Sequence, residues 1–504
     1  MRKIGYIVWA VWLVSCSENS LEPMVPEQPD TQEYVGSGFS TGTDRIEVKA
    51  SLAGADTRAA IDNLDALRAQ SFGMYAYFTH NTEYENADFG TTDYTNQPIM
   101  INQQMVWKTD ADPAKSKWDY YPSKFWPGKE QKLSFFAYAP YIANAEGTDN
   151  PQWTGKKYLE RDTDGIPQRN YAFTEQDDIL WGTKQSNDMS VNGTPMLNIT
   201  RPDDNKVPWL FIHGVARVKF LIYNYERESF KTHQGDASFS GYRKIDDVVY
   251  VRVPGVDGES TTLWRTYNPS KFDAKLLIEE VKLKNVYTTG ELVLKLADNT
   301  IPYRIYNGER YVENPVHRAN WQNRSPAALD NEVSLTDAAT GLALTVPESY
   351  KYDTSKTVDE LKTFFGNDNN WETVEGVDEN TVPIFSEPYI YFIPKEYSAE
   401  EGAKNLQISI KYRYITRWEL TELRYEISGD VVNVHTEDPS YIPATVPGVS
   451  GLDIGSHYES TATLNFSLLN NHSYVVSIRL GKMQKVDYVV EDWGVEAINL
   501  PVFE

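Results

Sequence analysis

Apolar and polar residues alternate along much of the chain with the two-residue period of β-strands. Residues 45–52 alternate strictly, which places Ile46, Val48, Ala50 and Leu52 on one face of a half-buried strand. Further short runs rich in Val, Ile, Thr, Tyr and Trp recur at spacings of about 8–12 residues, with turn-forming residues between them. The pattern predicts an all-β fold made of sandwiches, with residues 45–52 as its first strand.

Aromatic residues are concentrated in residues 118–141, with the sequence WDYYPSKFWPGKEQKLSFFAYAPY. Within it, residues 133–138 predict a buried strand, and Trp126, Pro127 and Gly128 predict the turn that precedes this strand. Each aromatic side chain removes on the order of 150–250 Å² from water when it is buried. We therefore expect this stretch to form core rather than a platform for ligands.

Other segments with the composition of strands are separated by polar or glycine-containing breaks. They are residues 72–78, 99–107, 178–182, 196–199, 207–223, 248–253, 276–286, 292–296, 389–394, 406–414, 463–468, 473–480 and 486–493. The Thr-Thr-Gly sequence at 288–290 predicts that 276–286 and 292–296 form a hairpin. Residues 61–69 and 358–365 are the helical candidates.

The length of the chain predicts more than one domain. It has 504 residues, whereas one hydrophobic core organises roughly 250–300, so two domains are expected. The polar break at 201–206 gives an N-terminal β-sandwich domain over 45–204 and a C-terminal one over 205–504. We interpret the long polar regions within 224–275 and 299–388 as insertions in the second domain.

The net charge of the chain limits the kinds of molecule that it is expected to bind. The sequence holds 72 acidic and 48 basic residues, which gives a net charge of −24. A field of this sign repels nucleic acid and anionic membrane surfaces, so we expect no nucleic-acid partner. The same charge favours solubility outside the cell.

The N-terminus has the organisation of a bacterial lipoprotein precursor. Arg2 and Lys3 precede the apolar run 4–14, which is too short to span a bilayer and fits a signal peptide over residues 1–15. The sequence Leu-Val-Ser-Cys at 13–16 matches a lipobox, and Cys16 is the only cysteine. We expect Cys16 to carry covalent lipid, and residues 16–44, rich in Glu, Pro, Gly, Ser and Thr, to form a flexible tether.

The chain resembles the fimbrillins, the lipoprotein subunits from which Bacteroidetes assemble pili. The matching features, in chain order, are the lipobox, the Thr-Arg-Ala sequence at 57–59, Phe-Gly-Met-Tyr-Ala-Tyr at 72–77, Trp-Pro at 126–127, Leu-Ser-Phe-Phe-Ala-Tyr-Ala-Pro at 133–140, residues 211–220, residues 474–478 and residues 489–493. The resemblance implies two tandem transthyretin-like β-sandwich domains. It also implies a protein anchored by lipid in the outer membrane and, after assembly, present in a surface fimbria that mediates adhesion.

The resemblance further implies assembly by donor-strand exchange. A trypsin-like or arginine-specific protease would cut after Arg58, with Arg45 as the alternative site. The cut would release the first strand, which presents Ile46, Val48, Ala50 and Leu52. Another subunit, of the same or a related kind, would then add its C-terminal strand to the open groove. The tail 494–504 is the expected donor, with these residues alternating on one face: Val495, Ala497 and Asn499.

The sequence lacks the common motifs of catalysis and metal binding. It contains no HExxH, P-loop, GxSxG or CxxC motif, so we expect no enzymatic activity and no cofactor other than the lipid on Cys16. Residues 162–165 (Asp-Thr-Asp-Gly) faintly resemble a calcium loop without its downstream ligands, so no metal is expected. His213 lies in a predicted strand and is interpreted as structural.

Two alternative functions stay open on the sequence alone. The first is a monomeric surface lipoprotein that captures a host glycan or host protein through exposed aromatic residues, for which the candidates are Trp153, Trp264, Trp321 and Trp371. The second is a surface hydrolase with paired carboxylates, because acidic residues occur throughout the chain and their pairing depends on the three-dimensional structure.

Overall fold

The computed structural model describes residues 44–492 except for 54–62, 88–97, 145–146, 148–156, 162–165, 225–241, 247, 253–262, 328, 338–345, 348–350, 354, 357–359, 361–380, 384–388, 401–403, 421–424, 435–449 and 481–484. The described residues form 26 β-strands and the short α-helix α1 (Leu64–Gln70). The prediction of an all-β fold is confirmed. Within these residues, no helix is long and apolar enough to cross a membrane.

The strands begin at Glu47 and end at Asp492. The first nine are β1 (Glu47–Leu52), β2 (Phe72–Phe78), β3 (Pro98–Lys108), β4 (Lys117–Asp119), β5 (Leu133–Ala139), β6 (Leu159–Arg161), β7 (Pro167–Ala172), β8 (Leu180–Lys184) and β9 (Lys206–His213). The next nine are β10 (Ala216–Asn224), β11 (Tyr242–Ile245), β12 (Val248–Arg252), β13 (Leu263–Lys284), β14 (Thr289–Val293), β15 (Arg304–Tyr306), β16 (Tyr311–Glu313), β17 (Asn320–Ser325) and β18 (Glu332–Ser334). The last eight are β19 (Thr381–Pro383), β20 (Ile390–Phe392), β21 (Gln407–Leu420), β22 (Tyr425–Ser428), β23 (Val431–Val434), β24 (Ser450–Thr463), β25 (His472–Leu480) and β26 (Lys485–Asp492).

A seven-stranded sheet with the order β1-β9-β8-β5-β2-β3-β4 organises the N-terminal half. Both of its faces are buried: along β2, Phe72 and Met74 enter one hydrophobic core, whereas Tyr75 and Tyr77 enter another. A strand covered on both faces needs apolar residues at every position, which explains the continuous apolar sequence FGMYAYF of β2.

The core on one face of this sheet contains the first strand and much of the aromatic stretch. Trp118 packs there against Phe72, and Trp126 packs against Phe135. Leu67 of α1 belongs to the same core. Trp126 is fully buried, as are all seven residues of β5. The structure thus places the aromatic stretch in the core, as its composition predicts.

A four-stranded sheet, β17-β14-β7-β6, covers the opposite face and completes the first sandwich. Its Tyr171, Leu292 and Trp321 share a core with Tyr75 and Trp181 of the seven-stranded sheet. The strands β14 and β17 come from the C-terminal half of the chain, whereas β6 and β7 come from the N-terminal half. The two halves are therefore interleaved in one sandwich.

The change from one sandwich to the next lies later than the expected boundary at residue 204. β9 pairs with β1 and β8 in the first sheet, and the chain enters the second sandwich only with β10. Gly214 separates β9 from β10: its N–H donates to the Ile179 carbonyl at 2.7 Å, and a Cβ atom there would lie 2.7 Å from Cδ2 of Leu292. A polar break at 201–206 marks only a loop, because the sheets change at this tightly packed glycine.

The second sandwich joins a five-stranded sheet to an eight-stranded one. The first has the order β19-β10-β25-β26, with β20 also paired to β10, and the second is built on β11-β12-β13-β21-β24. Val218, Phe220 and Val476 of the five-stranded sheet meet Ile278 and Ile410 of the other in one core. β11, β12, β22 and β23 extend the larger sheet along the first residues of the 22-residue strand β13.

The predicted hairpin between residues 276–286 and 292–296 is wrong. β13 pairs with β21, β18, β12 and β22, whereas β14 pairs with β7 and β17. The Thr-Thr-Gly sequence at 288–290 does not turn the chain back, because residue 289 already pairs with Ala172. Consecutive strands usually pair with each other, but here each finds a partner distant in sequence.

Candidate strand-exchange site

The first strand lies at an edge of the seven-stranded sheet. β1 runs parallel to β9, with Glu47 paired to Lys206 and Leu52 paired to Phe211. Among the described strands, β9 is its partner in the sheet. A strand at this position can leave without interrupting the pairing of the other six strands.

The backbone of β1 has two distinct edges. Glu47 and Ala53 donate their N–H groups to the carbonyls of Asn205 and Phe211, at 3.0 and 2.8 Å. The N–H of Ile46 points the other way and donates to the carbonyl of Lys124 at 2.9 Å. The residues that bond to β9 thus turn their side chains away from the core that contains Ile46 and Val48, and Ala53 enters the core on the opposite face of the sheet.

Burial decreases along β1 towards its C-terminal end. Ile46 is fully buried and Val48 is 7% exposed, whereas Ala50 and Leu52 are only half-buried at the margin of the same core. All four apolar residues predicted for one face do contact this core. Fully burying an Ile or Val side chain contributes about 1.5–3 kcal/mol, so the N-terminal half of β1 is its better anchored half.

Three residues hold the N-terminal end of β1, and we call them the Arg45 clasp: Arg45, Asp119 and Tyr120. The Arg45 guanidinium donates to Oδ1 of Asp119 at 2.6 Å and to the Tyr120 carbonyl at 2.8 Å. Its Cζ lies 4.5 Å from the centroid of the Tyr120 ring, a cation–π contact. Burial alone would raise the pKa of Asp119, but the hydrogen bonds and charge of Arg45 outweigh it and lower this pKa below its usual value.

The clasp continues into the backbone of β1. The Tyr120 hydroxyl donates to the Ile46 carbonyl at 2.9 Å, and burial raises the pKa of this hydroxyl. Asp44, the residue before Arg45, forms an ion pair with Arg201 through its carboxylate, and its carbonyl accepts from the backbone N–H of Trp126 at 2.9 Å. The aromatic stretch therefore fixes the point at which the chain enters β1.

Comparison with known proteins finds sequence similarity to a fimbrial subunit. No protein-family model matches the sequence. Over 151 residues the chain is 31% identical to the fimbrium subunit Fim1C of Phocaeicola vulgatus, a match that spans 30% of this chain and 33% of that protein. The predicted relationship to fimbrial subunits is confirmed. The matched stretch is about a third of the length of this relative.

One solved structure aligns with most of the chain. A fimbrial protein from Bacteroides vulgatus covers 89% of this chain and 100% of its own, with 17% identity and a TM-score of 0.44. A TM-score below 0.5 does not establish a common fold, so the assignment of two β-sandwiches rests on the strands and cores described above.

Several residues that the fimbrillin resemblance singles out lie outside the described part of the chain. They are Cys16, Arg58, Val495, Ala497 and Asn499. The described elements nevertheless show where in the chain two of the predicted segments lie. Residue 58 falls in the segment 54–62 between β1 and α1, and the C-terminal tail follows β26, which pairs with β25 at an edge of the five-stranded sheet.

Arg45, the alternative processing site, is engaged on several sides. Besides its contacts in the clasp, Arg45 forms a β-bridge with Phe125, and the backbone N–H of Ile46 donates to the Lys124 carbonyl. A trypsin-like protease must bind the arginine side chain in its specificity pocket and the flanking backbone in an extended form. Cleavage at Arg45 would require the clasp to open first.

The aromatic residues proposed for ligand capture are not surface platforms where the structure describes them. Trp264 and Trp321 are each 9% exposed, and the indole N–H of Trp321 donates to the Gly214 carbonyl at 2.7 Å. The interpretation of these two residues as exposed binding aromatics is wrong, because they serve the core and the sheet. Trp153 and Trp371 lie outside the described residues.

The two buried histidines among the described residues have structural surroundings. His213 is fully buried, and its Nδ1 lies 2.8 Å from Oδ1 of buried Asp178. Burial lowers the pKa of His317 to about 4, and its Nε2 lies 3.0 Å from the Gly193 carbonyl. Within the described ranges, no cluster of His, Cys, Asp and Glu could hold a metal ion, and residues 162–165 lie outside those ranges.

Sequence reasoning missed two features of the surface. The Arg45 clasp joins residues about 75 positions apart, which no local pattern reveals. The second feature is the hairpin β15–β16, whose facing residues Tyr306 and Tyr311 are 59% and 50% exposed with ring centroids 5.5 Å apart. The sequence shows the two tyrosines, but it does not reveal that they face each other on a separate two-stranded sheet.

Proposed function

We propose that this chain is a structural subunit of a cell-surface fimbria that assembles by donor-strand exchange. The observation that carries the proposal is the position of β1, which is the first described strand, lies at a sheet edge and is followed directly by the segment containing Arg58. The relationship to a fimbrium subunit supports the same conclusion. Enzymatic activity and a resident cofactor have no part in this function.

The steps before assembly follow from the N-terminal sequence. The signal peptide directs export, and lipid on Cys16 anchors the precursor in the outer membrane with residues 16–44 as the tether. An arginine-specific or trypsin-like protease cuts after Arg58. The cut separates the lipid and β1 from the folded body, so the same reaction detaches the subunit from the membrane and prepares it for assembly.

Removal of β1 creates an acceptor groove along β9. It exposes the backbone edge of β9 and uncovers the core that Ile46 and Val48 had covered, including the side chains of Val207, Trp209 and Phe211. Unpaired backbone groups next to an exposed apolar core favour addition of another strand. The partner is a second copy or a related subunit, whose C-terminal tail 494–504 supplies the strand.

The proposal is tested by proteolysis of the purified protein without its lipid. A trypsin-like protease is added, the new N-terminus is sequenced, and the product is run unboiled on a detergent gel. We expect a product that begins at Ala59 and a ladder of detergent-resistant polymers. A clean cut without a ladder would leave a tip subunit or a monomeric binder, and no cut near residue 58 would remove the mechanism.

A matched pair of variants identifies the cleavage site. Arg58→Gln should abolish both the Ala59 product and the ladder, whereas Arg45→Gln should leave both in place. Loss of the ladder on Arg45→Gln with normal cleavage at residue 58 would mean that Arg45 acts in assembly rather than in processing.

Adhesion is a second candidate function, and the hairpin β15–β16 favours it. Tyr306 and Tyr311 form an exposed aromatic pair, and Gly308 at φ +104° allows the tight turn between their strands. Exposed aromatic rings suit contacts with the apolar faces of sugars or with protein surfaces. A host glycan or host protein is the corresponding partner.

A further inference from the structure

We infer that the donor strand enters the groove antiparallel to β9 and fills it with Ile498, Leu500 and Val502. The inference rests on the strand exchange proposed above and specifies the direction and the side chains of the partner strand, which belongs to a second copy of this chain. It departs from the set that alternation near Trp493 predicts, which is Val495, Ala497 and Asn499.

The first step concerns the edge of β9 that β1 leaves. The carbonyls of Asn205 and Phe211 both accept hydrogen bonds from β1, so the backbone groups of the odd-numbered residues between them face the groove as well. Those residues, Val207 and Trp209, together with Phe211, also turn their side chains into the core that β1 covers. On β9, the residues that offer hydrogen bonds to the groove are the ones that line it.

The direction of an incoming strand then decides whether its core-facing or its solvent-facing residues donate their backbone N–H groups to β9. In a parallel pair, a residue that bonds to the neighbouring strand does so with two residues of that strand. Its side chain lies on the opposite face of the sheet from the side chains of those two residues. β1 obeys this rule, since Glu47 bonds to Asn205 while Ile46 and Val48 enter the core. In an antiparallel pair, the two bonded residues lie opposite each other and share a face. An antiparallel donor therefore uses the N–H groups of its core-facing residues.

Pro501 distinguishes the two directions because it has no backbone N–H. It must occupy a position that does not bond to β9. In a parallel donor this position faces the core, which places Asn499 in the core too. In an antiparallel donor it faces solvent, which turns Ile498, Leu500 and Val502 towards the core.

The chemistry of the groove selects the antiparallel arrangement. The positions vacated by Ile46 and Val48 are enclosed by apolar side chains, among them Trp209 and Phe211. A buried amide such as that of Asn499 is unfavourable there unless it finds a hydrogen-bond partner. The sequence of alternate residues Ile498, Leu500 and Val502 reproduces the apolar character of the strand that it replaces.

Charge substitutions at two neighbouring positions test which alternate residues of the donor strand face the core. Leu500→Asp and Asn499→Asp add the same charge one residue apart, and each is introduced into full-length protein that is then cleaved after Arg58. We expect Leu500→Asp to reduce the yield of detergent-resistant ladder at least about tenfold, because a carboxylate would enter an apolar core. Asn499→Asp should stay within about twofold of wild type. The opposite result would overturn the inference.

Disulfide trapping tests the direction independently. With Leu500 opposite the central residue Trp209, an antiparallel donor places residue 503 opposite Lys206, in a pair without mutual hydrogen bonds and with close Cβ atoms. Cleaved Lys206→Cys protein is therefore mixed with a donor carrying Phe503→Cys or Glu496→Cys. The protein without Cys16 has no other cysteine.

The two donors have opposite expected outcomes. A disulfide with Phe503→Cys and none with Glu496→Cys supports the antiparallel donor, whereas the reverse pattern overturns it even if both charge variants block assembly. Full polymerisation of both charge variants would also overturn it, because the tail would not fill the groove. Failure of the wild-type protein to polymerise would instead reject the proposed function, so the two failures are distinguishable.

Discussion

Arg45 places its guanidinium carbon 4.5 Å from the ring centroid of Tyr120, and the hydroxyl of the same tyrosine binds the carbonyl of the residue that follows Arg45. The side chain and the backbone at the start of β1 are thus held by one aromatic residue. At the other end of β1, Ala50 and Leu52 are half-buried next to the segment that contains Arg58. A strand cut at that end is therefore expected to separate first where it is cut and last at the clasp.

The first prediction concerns retention of the cleaved strand. Arg45→Ala removes the ion pair, the bond to the Tyr120 carbonyl and the cation–π contact, and should weaken binding of the strand by about 1–2 kcal/mol. The measurement is the rate at which the N-terminal fragment dissociates after cleavage at residue 58, in protein lacking the tail 494–504. We expect release to be about five- to thirtyfold faster than in the parent protein.

Lys49→Ala is the matched control for this prediction. Lys49 also forms an ion pair from β1, to Asp204 at 2.7 Å, but both side chains are about half exposed. Exposed pairs contribute little, so this variant should release the strand at nearly the parental rate. Equal acceleration in both variants would mean that any charge on β1 matters and that the clasp has no special role.

The second prediction is a pH dependence of the clasp. Because the folded-state pKa of Asp119 is lowered, its stabilising contribution is complete above the ordinary aspartate value of 3.8 and is lost as the pH falls through the folded-state pKa. Fragment release is measured from pH 6 to pH 2.5 in the parent and in Asp119→Asn. The variant should release the fragment faster near neutral pH, and the two rates should converge in acid. A difference that persists unchanged at the lowest pH would exclude ionised Asp119 as the cause.

The third prediction follows from the gradient of burial along β1. Ile46→Ala should destabilise the first sandwich by about 2–4 kcal/mol, since the side chain is fully buried. Leu52→Ala should have a smaller effect of about 1 kcal/mol, because its side chain is only half-buried. The midpoint of the first unfolding transition in urea measures both changes in uncleaved protein. An equal or larger effect at residue 52 would contradict the gradient.

The sequence predicted most strands because alternation and apolar runs are local properties. The strand at 45–52, the buried strand at 133–138 and the last strand at 486–493 all correspond to observed elements. Pairing was harder to predict, since it depends on contacts between distant residues. The predicted hairpin at 276–296 is wrong because residue 289 pairs with Ala172. The chain changes sheets at Gly214, after the polar break that gave the expected boundary at 204.

The site was predictable only in part for the same reason. The four apolar residues of β1 were identified from their period, but a strand in isolation does not reveal whether its neighbour is parallel. That direction, set by pairing with β9 more than 150 residues away, determines which backbone groups the groove offers. The clasp also required the fold, because Asp119 and Tyr120 lie in a stretch whose composition indicates only core.

The last prediction separates adhesion from assembly. Tyr306→Ser combined with Tyr311→Ser should leave the cleavage product and the polymer ladder unchanged, since the hairpin β15–β16 pairs with neither β1 nor β9. Binding of the polymers to host cells or to an array of glycans should fall severalfold if this pair forms the adhesive surface. The control replaces Val431 and Val434, which are 60% and 54% exposed on β23, with serine. Because such surface changes usually alter stability by no more than about 0.5 kcal/mol, a loss of binding confined to the tyrosine variant would reflect contact with the ligand. Equal binding by both variants would exclude the hairpin as the adhesive surface and leave the assembly mechanism untouched.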